Sequence, residues 1–166
     1  QLLRFDAHGQ ALYDSDGLLV TEQGSDGVQR VVDAGPYRAV AARHRDVPVT
    51  HWMDRLIAPG FIDMHVHYPQ TDIIGSPADG LLPWLTHYTF PAETRFCDAG
   101  YAAEVAHVFF TERMRNGVTT ALTFATAHPA SVDAFFHEAQ KRGLRMMSGK
   151  VLQDRNSPDG VRDQTE

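Results

Sequence analysis

Two histidines separated by one residue, His65 and His67, have the types and spacing in this chain that could hold a metal ion. They close the run Phe61-Ile62-Asp63-Met64-His65-Val66-His67, which follows Ala58-Pro59-Gly60. On a strand, side chains alternate between faces, so Phe61, Asp63, His65 and His67 share one face and Ile62, Met64 and Val66 the other. The second set is apolar and suits packing under helices. Histidines at i and i+2 have Cα atoms roughly 6.6 Å apart, within reach of one ion through bonds of about 2.0–2.1 Å. Imidazole suits zinc, iron, nickel and copper, so the spacing does not choose the metal. The plainer alternative is a hydrogen-bonded polar pair at a strand end. Asp63 is either an outer partner of a ligating imidazole or a tie at the strand end.

The elements that position this pair change character near Pro59-Gly60. Residues 1–58 predict part of a small β domain, with strands at Gln10–Tyr13, Leu18–Glu22, Val28–Ala34, Tyr37–Ala42 and Val47–Trp52, punctuated by Asp/Gly-rich turns. Residues 59–166 predict alternating strands and helices. Gly60–His67 reads as a strand and Tyr68 to about Cys97 as a long irregular stretch. Asp98 caps a helix to about Asn116, with Val105, Val108, Phe109 and Met114 as its apolar stripe and Gly117 just past its end. Val118–Ala125 is the next strand. Ser131 caps a helix to about Arg142, and Leu144–Leu152 is a third strand. This order predicts an α/β fold with a parallel sheet, either doubly wound or the start of a (β/α)8 barrel, with the site at the C-terminal ends of the strands.

Composition narrows the function. The 166 residues are 43% hydrophobic and carry a net charge of −6, which argues against a nucleic-acid surface. No apolar run approaches the roughly 18 residues of a membrane span. The lone Cys97 excludes an intramolecular disulfide, fits a reducing cytoplasm, and sits beside Asp98 rather than a cation, so an activated thiolate is not expected. The chain contains no GxGxxG, no P-loop, no HExxH and no GxSxG. With one cysteine, the zinc deaminase fold built on HxE and PCxxC is excluded as well.

The run Ala58 to His67 resembles the opening of the amidohydrolase superfamily. The following stretch is more specific: Tyr68-Pro69-Gln70, then Leu82-Pro83-Trp84-Leu85-Thr86-His87-Tyr88-Thr89-Phe90-Pro91-Ala92-Glu93, Asn116-Gly117-Val118-Thr119-Thr120, Phe124-Ala125-Thr126-Ala127-His128 and Gly149-Lys150-Val151. Over residues 58–154 these are similar to the guanine deaminases of that superfamily. The resemblance implies a metal-bearing (β/α)8 barrel beside a β-sandwich, a homodimer, and one divalent ion, zinc first and iron(II) as the alternative. It implies that His65 and His67 are metal ligands and that Gln70 contacts guanine. It places a third histidine, an aspartate, the acid/base glutamate and a purine-binding arginine beyond Glu166, so the chain reads as an N-terminal portion whose open sheet edge invites aggregation. The implied reaction is hydrolysis of guanine to xanthine and ammonia by a metal-activated water.

Other residues carry two readings each. Trp84 is a wall for the flat purine or an anchor for a long loop. His128, after the second strand, lines the site or is a polar loop residue before Pro129. Lys150 lies on the third strand rather than the fourth, so it is not expected to be a metal-bridging lysine. The alternatives in function are an amidohydrolase acting on a pterin, a cytosine or a triazine, or a non-catalytic scaffold with the same fold.

Overall fold

Turns rich in aspartate and glycine cut the first part of the chain into short strands. The structure, a computed structural model, describes residues 1–163 and divides the chain into two compact units, Gln1–Pro59 and Gly60 onward. In the first unit β1 (Leu2–Phe5) pairs antiparallel with β2 (Ala11–Asp14), and β3 (Gly17–Gln23) with β4 (Gln29–Pro36). β1 was not expected from the sequence. Tyr37–Ala41, expected as a strand, is the short helix α1. Its two alanines favour a helical turn, and a single buried residue, Val40, meets its one contact face. Val47–Trp52, also expected as a strand, has no regular structure; Pro48 lacks the N–H that a ladder needs.

The second unit carries a parallel sheet in the order β5-β6-β7, formed by β5 (Phe61–His67), β6 (Val118–Phe124) and β7 (Arg145–Met147). β7 is shorter than the Leu144–Leu152 expected, and beyond it Val151 N–H donates to the Thr126 carbonyl at 3.0 Å. Gly60 is needed at the start of β5 because a Cβ there would collide with the Thr119 side chain.

The stretch expected to be irregular is largely helical. Tyr68–Ile73 is a 3-10 turn, and Leu81 to Cys97 is a chain of short helical pieces: α2 (Leu81–Trp84), a π turn (Leu85–Thr89), α3 (Phe90–Thr94) and a 3-10 turn (Arg95–Cys97). Pro91, near the start of α3, needs no N–H partner there. π-type insertions in helices are frequent at functional sites.

α4 (Ala99–Arg115) starts where the Asp98 carboxylate accepts the Tyr101 N–H at 2.8 Å, and Gly117, at φ +76°, follows its end. Its buried stripe is Ala102, Val105, Ala106, Phe109 and Phe110. Val108 and Met114, expected in that stripe, are exposed, because the i, i+3, i+4 spacing set by Ala102 and Val105 leaves them on the flank. α5 (Pro129–Lys141) begins two residues before the expected cap. Ser131 lies inside its first turn, with its hydroxyl donating to the His128 carbonyl.

The core lies between the sheet and these helices. Tyr68, Phe96, Phe110 and Phe135 are fully buried there, and the Tyr68 ring meets Phe96, Phe109 and Phe135 at centroid distances of 5.2, 5.9 and 5.4 Å. The opposite face of the sheet carries Ile62, Leu122, Phe124 and Met147, all exposed.

Candidate functional site

β5 does not alternate strictly. Asp63 pairs with Ala121 and Val66 with Thr123, so three residues on β5 advance against two on β6. This bulge turns Asp63 to the helix face, the same side as Val66, which packs on the core. The expectation that Asp63 shares a face with both histidines is therefore corrected. Its carboxylate accepts from Arg113 of α4 and from the His65 backbone N–H at 3.0 Å. The Arg113 guanidinium beside it, helped by that N–H, holds the carboxyl below the usual carboxylate range. Asp63 thus ties the bulge to α4 rather than touching an imidazole ring.

Past the bulge, both histidines face the other way. Their Nε2 atoms approach to 3.3 Å, and both rings lie against Phe124, with centroids at 5.0 Å from His65 and 4.6 Å from His67; the His67 ring is stacked at 13°. Phe124 was not singled out in the sequence, although His67 and Phe124 are register partners. It forms an apolar floor that fixes the His67 ring.

The donor set fits a cation. Two nitrogens 3.3 Å apart, each bonded to one ion at about 2.05 Å, would subtend about 107°, near the tetrahedral value that zinc favours. Burial first, then the charge of His65, push the His67 imidazole below its ordinary value of 6.5, favouring the neutral form that ligation requires. Such a depressed group contributes stability that is complete above 6.5 and is lost as pH falls through its lowered folded value. Metal retention runs in the same direction, so metal content of the full-length protein should fall on acidification below 6.5 and recover on return to neutral pH. Undiminished metal at pH 5 would contradict a histidine-held ion. Among the described residues no group of three or more His, Cys, Asp or Glu side chains gathers around an ion position.

A cleft of 480 Å³ lies on the helix side of β5, with Val66, His67, Gln70, Trp84, Glu112 and Arg113 among its walls; His65 and Phe124 are not among them, and the paired imidazoles lie on the other face of the sheet. Trp84, half-buried, packs against Tyr88 at 5.4 Å between ring centroids. The 3-10 turn after β5 carries Gln70 to the cleft, and Thr71 Oγ1 locks that turn by donating to the Tyr68 carbonyl at 2.6 Å. His128 does not line the cleft. It stands at the start of α5, and its buried Nε2 has no hydrogen-bond partner. Lys150 pairs with Asp163 at 2.5 Å. Glu93, on α3, is 7% exposed, and burial pushes its carboxyl up to about 7. Only its place in the string Trp84 to Glu93 marked this residue before the structure was known.

A family model described as the amidohydrolase family matches residues 56–166. The chain belongs to that family. It is 43% identical to the guanine deaminase of Escherichia coli over 152 residues, which cover 91% of this chain and 34% of that protein. The solved guanine deaminase of Bradyrhizobium japonicum superposes with a TM-score of 0.89 at 34% identity, over 98% of this chain and 36% of that one. That of C. acetobutylicum, solved with bound guanine in its active site, superposes with a TM-score of 0.73 at 26% identity, over 98% of this chain and 38% of that one. The amidohydrolase chain described here therefore spans about a third of the length of the guanine deaminases it matches. Among its described residues no helix is long and apolar enough to cross a membrane.

Proposed function

We propose that this chain is the N-terminal portion of a guanine deaminase, which hydrolyses guanine to xanthine and ammonia. The observation that carries the reading is the His65–His67 pair at the end of β5, whose Nε2 atoms stand 3.3 Å apart on the floor of Phe124. Relatives named guanine deaminase at 39–43% identity support it.

His65 and His67 hold one divalent ion, zinc in the first instance and iron(II) as the alternative. When bound, the ion supplies a water whose pKa drops from 15.7 to about 7, a source of nucleophile at neutral pH. Gln70 offers a donor and an acceptor to the purine edge. Trp84 offers a flat apolar wall. The acid/base glutamate and the remaining ligands belong to later strands. In the full-length protein those strands close the exposed apolar sheet face into a (β/α)8 barrel, and the first unit completes a β-sandwich. The complete enzyme is a cytoplasmic homodimer without nucleic-acid or membrane partners.

The test is a comparison of guanine, adenine, cytosine and a chlorinated triazine as substrates of the zinc-loaded full-length protein. Guanine should be preferred by about a hundredfold or more in kcat/KM, since a site built to hydrogen-bond a substrate group rejects analogues lacking it by up to about 10⁴–10⁵-fold. Gln70→Leu should raise KM for guanine about tenfold or more at near-constant metal content. Preference for another heterocycle, with guanine ignored, would overturn the reading.

A further inference from the structure

Beneath the candidate site lies a buried hydroxyl cluster that joins all three strand-end segments. Tyr68, Thr126 and Ser131 are each 0% exposed. The Tyr68 hydroxyl donates to the Ser131 carbonyl at 2.6 Å across 63 residues of sequence. Ser131 Oγ donates to the His128 carbonyl at 2.7 Å and accepts from Thr126 N–H at 3.1 Å and from Thr126 Oγ1 at 2.9 Å. Thr126 Oγ1 in turn accepts the His128 N–H at 3.1 Å, and the Thr126 carbonyl accepts the Val151 N–H. Each of the three hydroxyls uses its single proton, and both Ser131 lone pairs are filled.

Starting α5 does not require Tyr68, since Ser131 and Thr126 already satisfy the groups around His128. The Tyr68 ring sits among Phe96, Phe109 and Phe135, where phenylalanine would pack as well without a hydroxyl to desolvate. The hydroxyl therefore adds something that packing does not supply. Tyr68 is bonded covalently to His67, so its anchor to Ser131 fixes the backbone that carries the histidine ring. The same cluster holds both backbone polar groups of His128.

The geometry points to Tyr68, Thr126 and Ser131 as positioning residues, whose buried hydroxyl cluster sets His67 and His128 in register with one another across two strand ends. This rests on the reading of His67 as a metal ligand. Buried networks of this kind are cooperative, and this one reaches His67 through the Tyr68 backbone, since none of its three hydroxyls bonds to the imidazole.

The experiment uses the full-length protein loaded with cobalt(II), read by its visible ligand-field bands and by competition with a chelator. Tyr68→Phe should weaken cobalt binding tenfold or more, shift the bands, and lower kcat for guanine about tenfold with KM within twofold. Thr126→Val should do the same, and Thr126→Ser should restore both readouts to within about threefold. Should Tyr68→Phe fail to fold, the Thr126 pair decides. Wild-type cobalt affinity and bands in Tyr68→Phe and Thr126→Val, with only a lowered melting temperature, would overturn the proposal. So would failure of the wild-type protein to bind cobalt. A wild-type protein that binds cobalt yet ignores guanine would sink the guanine reading alone, and the cobalt readouts would still decide the cluster's role.

Discussion

Replacing His67 by alanine in the full-length protein is expected to lower guanine turnover at least about a thousandfold, because the nucleophile depends on a held ion. The loss should come with loss of metal and without loss of fold. His67 is partly exposed and its ring rests on Phe124 rather than in the core. Removing it deletes one of two nitrogens that face each other at 3.3 Å, leaving His65 alone on this strand. Metal analysis beside a circular dichroism spectrum checks this. A variant that kept its metal and most of its activity would show that the pair is a structural contact and not a ligand pair.

Phe135→Ala is expected to produce the largest loss of stability of any single truncation in the second unit, about 3–5 kcal/mol. Phe135 is fully buried where α4, α5 and the turn after β5 meet, touching Tyr68, Phe109 and Phe110 at centroid distances of 5.4, 6.3 and 5.0 Å. Three aromatic neighbours cannot collapse into the space one ring leaves. Its sequence neighbour Phe136 is 40% exposed, and Phe136→Ala should cost roughly 1–2 kcal/mol. Urea unfolding of the two variants in the full-length protein separates them. Equal losses would mean that the α4–α5 contact is not the core of this unit. Because Phe135 packs against Tyr68, Phe135→Ala should also weaken metal binding, whereas Phe136→Ala should not.

What could be read from the sequence differs from element to element for physical reasons. β5, α4 and β6 were legible because glycines, an aspartate cap and β-branched runs mark their ends. The bulge at Asp63 to Val66 was not, because nothing in Phe61-Ile62-Asp63-Met64-His65-Val66-His67 breaks a period of two; Asp63 leaves its expected face through pairing with Arg113, fifty residues away. Phe124 gave no signal for the same reason, since its place under both imidazoles follows from strand register. The segment from Leu81 to Cys97 hid its helical pieces because no single period runs through a π turn. Tyr37–Ala41 alternates as a strand would, but one buried valine suits a helical turn equally well. The family resemblance depended on residues with little local structural signal, above all Gln70 and the string from Trp84 to Glu93.

An ion held by His65 and His67 is expected to drive hydrolysis of guanine in the full-length protein. The most direct test is ammonia release from guanine by the full-length protein as metal is stripped with a chelator and restored by titrated zinc. Turnover should vanish with the metal, return with zinc in proportion to occupancy, and saturate at one ion per chain. Undiminished turnover by fully stripped protein would contradict the account.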